Sequence, residues 1–383
     1  MRGSAIVWFG WLVLMAGANL ATPLYAVYAK RFGFSSLVLT SVFATYAFVL
    51  VPALILFGRL SDRFGRRPII VAGLVVACAA LVLFAFASSV AWLYAARALQ
   101  GLAVGMISGA ATAALVELDP EANRRRAALL AGLAQAGGSA LGPIAAGVLA
   151  EWAPSPLRLC FFVGLGVTVA SAVVLLLVLG EPEHGREPWR IQRPRVPAEI
   201  RARFARVGLT AATAWAVVAL YLSIVPSYAS GLLHTHDLAL LAAVAAVALL
   251  ASSGAQVVSQ RWRPSLQASQ AVGLGAIALG LVILVVASPL HSLALLIAGG
   301  IVTGAGHGVA FLNAQEELNH IAPDAQRGEV TSAFIGCIYF LVAMSVITAG
   351  LLALGASLAH AVAAVSVGLL VLAVGGAAWQ IRA

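Results

Sequence analysis

The chain has 383 residues, of which 62% are hydrophobic and 10% charged, with a formal net charge of +9. Soluble domains carry about 25% charged and roughly 45–50% apolar residues. A water-soluble enzyme is therefore excluded, with or without a single membrane anchor, because no segment could fold as a separate domain in water.

Hydropathy between charged and Pro/Gly breaks predicts twelve spans, each near the roughly 20 apolar residues that cross a bilayer. The first is Ala5–Ala29. Ala16-Gly17-Ala18 looks like a signal-peptide cleavage site, but the apolar run continues past it and has a counterpart later in the chain. Spans 2 to 6 follow at Ser36–Phe57, Ile69–Ser88, Ala91–Val116, Ala127–Ala150 and Leu157–Gly180. The one long polar stretch, Glu181–Arg206, holds seven arginines with Pro182, Pro188, Pro194 and Pro197 and reads as a cytoplasmic linker. Spans 7 to 12 are Val207–Ser230, Asp237–Val258, Gln270–Ala287, Ser292–Glu316, Val330–Ala353 and Ser357–Gln380. The expected organisation is all-α, with six-helix halves at 1–180 and 207–383 joined by a linker at 181–206.

The positive charge comes from 22 arginines and Lys30. With the N-terminus inside, nineteen basic residues fall on the inner side, while the outer loops hold Lys30, Arg31 and Arg158. That bias expects both termini in the cytoplasm and makes the charge topogenic, with no nucleic-acid partner. Arg97 alone lies within a span. Cys78, Cys160 and Cys337 are scattered over three spans without a CxxC and read as small core residues, implying no disulfide, metal or cofactor.

A shift of 203 residues superposes 98–150 on 301–353 without gaps. Gly101 meets Gly304, Gly105 meets Gly308, and Pro120-Glu121-Ala122-Asn123-Arg124 meets Pro323-Asp324-Ala325-Gln326-Arg327. Gly73-Leu74 meets Gly273-Leu274 at a shift of 200, and Pro23 meets Pro226 at 203. Six spans per repeat keep one orientation, so the halves are expected to be related by an axis along the membrane normal. Such repeats organise rocking transporters, with substrate bound near the midplane.

After span 2 the chain reads Gly58-Arg59-Leu60-Ser61-Asp62-Arg63-Phe64-Gly65-Arg66-Arg67. This matches the loop signature of the major facilitator superfamily, and with the six-plus-six organisation the resemblance covers essentially the whole chain. Gly58 and Gly65 are read as tight-turn positions. The resemblance implies a latch in which Asp62 faces the start of span 11 near Gly328–Val330, while Arg66, beside Arg67, pairs with Glu117. The second half has Trp262 in place of Asp62, so one latch is expected.

Span 4 carries Arg97-Ala98-Leu99-Gln100-Gly101, resembling the family's fourth-helix signature except that Ala103 stands where a glycine is usual. Arg97, roughly 9 Å from the outer end at 1.5 Å per residue, either faces the interior as a functional group or snorkels outward. Span 5 carries Gly138, Gly142, Pro143 and Gly147, a frame resembling that of the family's antiporters. Glycines four apart allow close helix contact, and Pro143 removes a backbone bond and is expected to bend the helix.

Proton coupling needs a titratable group, and spans 1, 2, 3 and 7 contain no Asp, Glu or His. His307 in span 10 either exchanges protons or simply donates to a carbonyl where helices touch, the latter being the default between two glycines. Glu316 and Glu317 at the inner end of span 10 either couple or gate, or lie solvated at the interface, which is the default there. The resemblance makes spans 1, 4, 7 and 10 cavity-lining, which singles out Asn19, Tyr25, Arg97, Trp215, Tyr221, His307 and Asn313 for substrate contact. The expectation is a secondary transporter of the bacterial inner membrane, monomeric and working by alternating access. It exports a small molecule by proton antiport; symport or facilitated import of a metabolite is the alternative, and a non-transporting sensor a more distant one. The expected partners are the substrate, protons and the bilayer.

Overall fold

The computed structural model describes residues 2–119, 121, 123–180, 195–261, 265–323 and 326–382. Glu181–Pro194 of the expected linker, Trp262 and Arg263, and Pro120, Ala122, Asp324 and Ala325 of the repeated loop lie outside the described residues. Among the described residues the regular elements are all helical, and twelve segments are long and apolar enough to cross a membrane. In chain order they are α1 (Arg2–Asn19), α2 (Tyr25–Phe32), α3 (Ser36–Phe64), α4 (Arg66–Ala85), α5 (Val90–Glu117), α6 (Arg124–Trp152) and α7 (Leu159–Val178). There follow α8 (Arg201–Ser223), α9 (Val225–Leu233), α10 (Leu238–Ser259), α11 (Leu266–Ala287), α12 (Leu293–Ile321), α13 (Arg327–Gly355) and α14 (Leu358–Ile381).

Three departures from the hydropathy boundaries have physical causes. Spans 1 and 7 are each broken in two, α1–α2 and α8–α9, at the repeat-related prolines. Pro23 sits in the 3-10 turn Thr22–Leu24, and Pro226 opens α9 after a break at Ile224. Neither proline has the N–H that would continue the ladder. Second, α3 runs on to Phe64, so the arginine-rich motif is helical and only Gly65, at φ 97°, turns the chain. Charged residues end an apolar run without ending a helix. Gly58 is not a turn: it lies mid-helix with open space beside it. Third, a 3-10 turn at Ala198–Ile200 leads into α8 at Arg201, so the last residues of the expected linker are helical.

The helices form two compact units, Met1–Ala21 with Thr45–Pro194 and Thr22–Ala44 with Arg195–Ala383. In the first, Phe84 stacks on Phe161 at 5.1 Å within a buried set that includes Ile70, Leu93 and Ile107. In the second, Leu220, Leu241, Leu274, Leu281 and Leu296 belong to one buried cluster. Each unit repeats the other's internal register. Gly73 on α4 meets Ala103 and Ile107 of α5, and Gly273 on α11 meets Gly306 and Ala310 of α12. Those partners differ by the same 203 residues as the sequence repeat. Likewise Gly101 and Gly105 lie on the backbone of α3 at Tyr46 and Leu50, and Gly304 and Gly308 on α10 at Ala248 and Ser252. Lipid offers no hydrophobic drive for helix association, so close contact through small residues holds such bundles.

Candidate functional site

At the arginine-rich motif, Arg66 gathers three oxygen-bearing groups. It pairs with Asp62 one turn back on α3, donates to Ser61 Oγ at 2.8 Å, and bonds Glu117 at the end of α5 through Nη2 at 2.9 Å and Nε at 3.1 Å. Arg67 donates to the carbonyl of Leu176 in the last turn of α7. A basic side chain there meets carbonyls that the helix leaves unpaired, at the negative end of its dipole. The motif thus ties α3 and α4 to the ends of α5 and α7. Asp62 and Glu117 are both exposed.

Arg97 and Gln100 meet a different helix end. Arg97 is 3% exposed, so it does not snorkel. Its Nη1 donates to the carbonyl of Ala18 at 3.0 Å and to Gln100 Oε1 at 2.9 Å, and its guanidinium lies 4.6 Å from the Tyr46 ring centre. Gln100 Nε2 donates to the carbonyl of Gly17 at 3.1 Å. Gly17 and Ala18 are in the last turn of α1, whose carbonyls the break at residues 20–24 strands. In lipid such groups need protein donors, and a buried cation gains from the helix dipole and an aromatic face. Gly101 follows as the point where α5 touches α3. Asn19, the last residue of α1, donates to Met15 O at 2.9 Å and to Ser139 Oγ on α6 at 3.1 Å.

On α6, Gly138 sits against the carbonyl of Leu12 and the Met15 side chain, and Gly142 against the carbonyl of Ala16. The backbones of α6 and α1 are therefore in direct contact. Pro143 lies inside an α6 that continues to Trp152, and Gly147 is buried one turn further on.

In the second unit His307 is fully buried. Its Nδ1 is 2.8 Å from Ser252 Oγ, which accepts from Gln256 Nε2 at 3.2 Å. Trp215 meets the ring edge-on at 4.9 Å, and Phe311 stacks on it at 5.7 Å. No acid joins this cluster among the bonds of the described residues.

Glu317 occupies a different environment from the solvated interface expected of it. It is 4% exposed, pairs with Arg206 Nη2 of α8 at 2.5 Å and accepts from Gln270 Nε2 of α11 at 2.5 Å. Gln380 Nε2 of α14 then donates to Gln270 Oε1 at 2.8 Å and to Thr210 Oγ1 at 3.0 Å. Arg206, at 6% exposure, counted as linker in the sequence, but belongs to α8. Glu316 is only half-buried. Tyr25 and Tyr221 are buried in the second unit, and Asn313 bonds its own helix at Val309 O, 2.8 Å. Sequence reasoning overlooked Tyr46, Ser252, Gln256, Gln270 and Gln380, neutral side chains that no motif marks.

The model of the Major Facilitator Superfamily matches residues 7–346. Multidrug resistance protein 1 of Bacillus subtilis is 27% identical over 180 residues, 47% of this chain and 46% of that protein. Puromycin resistance protein pur8 of Streptomyces alboniger is 30% identical over 184 residues, 45% of this chain and 34% of that protein. The matches thus span less than half the length of these relatives. The crystal structure of a bacterial homolog of the human lysosomal transporter Spinster, in an inward-facing and occupied conformation, shares the fold. Its TM-score is 0.73 at 16% sequence identity, over 99% of this chain and 95% of that one. The chain belongs to the Major Facilitator Superfamily, a family of multi-pass membrane transporters.

Proposed function

We propose that the chain is an alternating-access exporter of the bacterial inner membrane, monomeric, with both termini in the cytoplasm, exchanging a small molecule for protons. The observation that carries this reading is the α1–α6 seam. Gly138 and Gly142 bring the two backbones together beside Pro143, the close packing that keeps water and ions from passing between helices. An exchanger that leaked protons along its helices would dissipate the gradient it uses. The resistance named for the two relatives agrees with export. Trp215, Tyr221 and Asn313 stay the candidates for substrate contact, together with Asn19 and Tyr25. Arg97 gives no argument for an anionic substrate, because Ala18, Gln100 and Tyr46 already hold its guanidinium.

The test is proton movement in proteoliposomes carrying an interior pH dye, with puromycin, sugars and organic acids added in turn. Protons moving against a compound's own flux support exchange. Co-movement overturns it in favour of symport, and silence across the series overturns proton-coupled transport of these classes.

A further inference from the structure

The Arg206–Glu317 pair is absent from the equivalent place in the first unit. The repeat sets Gly3 opposite Arg206 and Ala114 opposite Glu317 at a shift of 203, and Ile70 opposite Gln270 at 200. Ile70 and Ala114 are buried apolar residues, and Gly3 faces the side chains of Leu118 and Leu179. At these three positions the first unit of this fold therefore packs without any charge. Burying an ion pair there is a poor route to stability, since desolvation offsets the attraction. An ionisable group within a span points instead to function, with its counter-ion beside it.

We propose that Glu317 carries the coupling proton and that Arg206 is its counter-ion, a proposal that rests on the proton-coupled reading above. With Glu317 ionised, Arg206 Nη2 satisfies one carboxylate oxygen and Gln270 Nε2 the other. A proton from water on one side of the membrane adds to the carboxylate, which then no longer holds Arg206. The guanidinium keeps its own protons, so the cluster goes from neutral to +1. That uncompensated cation must be met by water, which ties protonation to opening of the seam between α8 and α12. Release of the proton to water on the other side restores the pair and the seam closes. Gln380, bonded to both Gln270 and Thr210, keeps the neutral part of the ring in place throughout.

The surroundings leave Arg206 as the charge that governs Glu317. Neither α10 nor α11 contains a titratable residue. On α8, Arg201 and Arg203 are exposed; on α12 itself, Glu316 is half-buried and His320 exposed. Arg327 and Glu329, both only partly buried, open α13, and exposed Arg382 follows α14.

The deciding experiment is infrared titration of the purified full chain in lipid, following the C=O stretch of protonated carboxylic acids. In the wild type one such band should be absent from Glu317→Gln and present in Glu316→Gln. In Arg206→Gln it should appear at higher pH, because a carboxylate without its cation protonates more readily. Loss of the band in Glu316→Gln, its persistence in Glu317→Gln, or an unmoved midpoint in Arg206→Gln would overturn the assignment. Tritiated puromycin supplies a second arm. Gradient-driven flux through Glu317→Gln should fall by about tenfold or more while puromycin–puromycin exchange stays within about twofold of wild type. Wild-type gradient-driven flux in that variant sinks the proposal and leaves proton exchange standing. If the wild type itself moves no puromycin, the substrate reading has failed and the infrared result decides alone.

Discussion

Arg97 on α5 donates to the carbonyl of Ala18 at the end of α1, 3.0 Å away. The residue that hydropathy marks as an intruder in span 4 closes the wound left by Pro23 in span 1. Its charge is held by a helix end, an amide oxygen and the Tyr46 ring.

Arg97→Leu should therefore destabilise the protein, by about 1–3 kcal/mol for stranding a buried carbonyl, with a further loss of the contact to Tyr46. Arg97→Lys keeps the charge but not the planar fork that serves Ala18 and Gln100 together, and should fall between. Thermal unfolding in detergent, followed by circular dichroism, gives the order. A leucine variant as stable as wild type would mean that α1 ends without help from α5.

The α1–α6 seam makes an independent prediction. A methyl group at Gly142 has no room beside the carbonyl of Ala16, and one at Gly138 would lie 2.7 Å from Met15 Cβ. Gly142→Ala should cost about 1–3 kcal/mol as an overpacking change. Gly275→Ala, where a methyl group meets nothing within 4 Å, should be neutral or slightly stabilising in a helix. Should the two variants unfold alike, the close approach of α6 to α1 is not a constraint on the fold.

Asp62 separates the fold from the work it does. The Arg66 guanidinium would keep Glu117 and Ser61 without it, and Asp62 is exposed to solvent. An exposed pair of this kind contributes roughly 0–1 kcal/mol. Asp62→Asn should thus unfold close to the wild-type temperature yet transport poorly, because the motif loses a charge that the local structure does not need. Normal flux in proteoliposomes would remove Asp62 from the transport cycle.

The twelve spans and the repeat were legible because both are written in local pattern: apolar length, paired glycines and a shared pentapeptide. The break in span 1 was half legible. Pro23 and Pro226 align in the repeat, but a hydropathy profile does not register a missing N–H. The arginine-rich stretch looked like a loop because charge ends an apolar run, whereas α3 continues to Phe64. Glu317 was misplaced for a different reason. Its position near the end of span 10 predicts water, and only the arrival of Arg206, Gln270 and Gln380 from three other helices removes it. No spacing in a single chain announces a ring closed by side chains 47 to 170 residues apart.

His307 gives the last prediction, and the repeat supplies its control. The first unit places Val104 opposite His307, and Leu50 opposite Ser252 through the matching contacts at Gly105 and Gly308. His307→Val alone removes the partner of the Ser252 hydroxyl and leaves a void between Trp215 and Phe311. Ser252→Leu alone strands Nδ1 and crowds the ring. Each should cost about 1–3 kcal/mol. Together they exchange a polar contact for the apolar pair that the same fold already accommodates, so the double variant should lose less than the sum by about 0.5–3 kcal/mol. Additive losses in the unfolding cycle would show that the two side chains do not interact. If coupling runs through Glu317, His307→Gln should keep gradient-driven transport, since a glutamine can still face Ser252 and carries no titratable proton. Loss of that transport with normal folding would move the proton from Glu317 to His307.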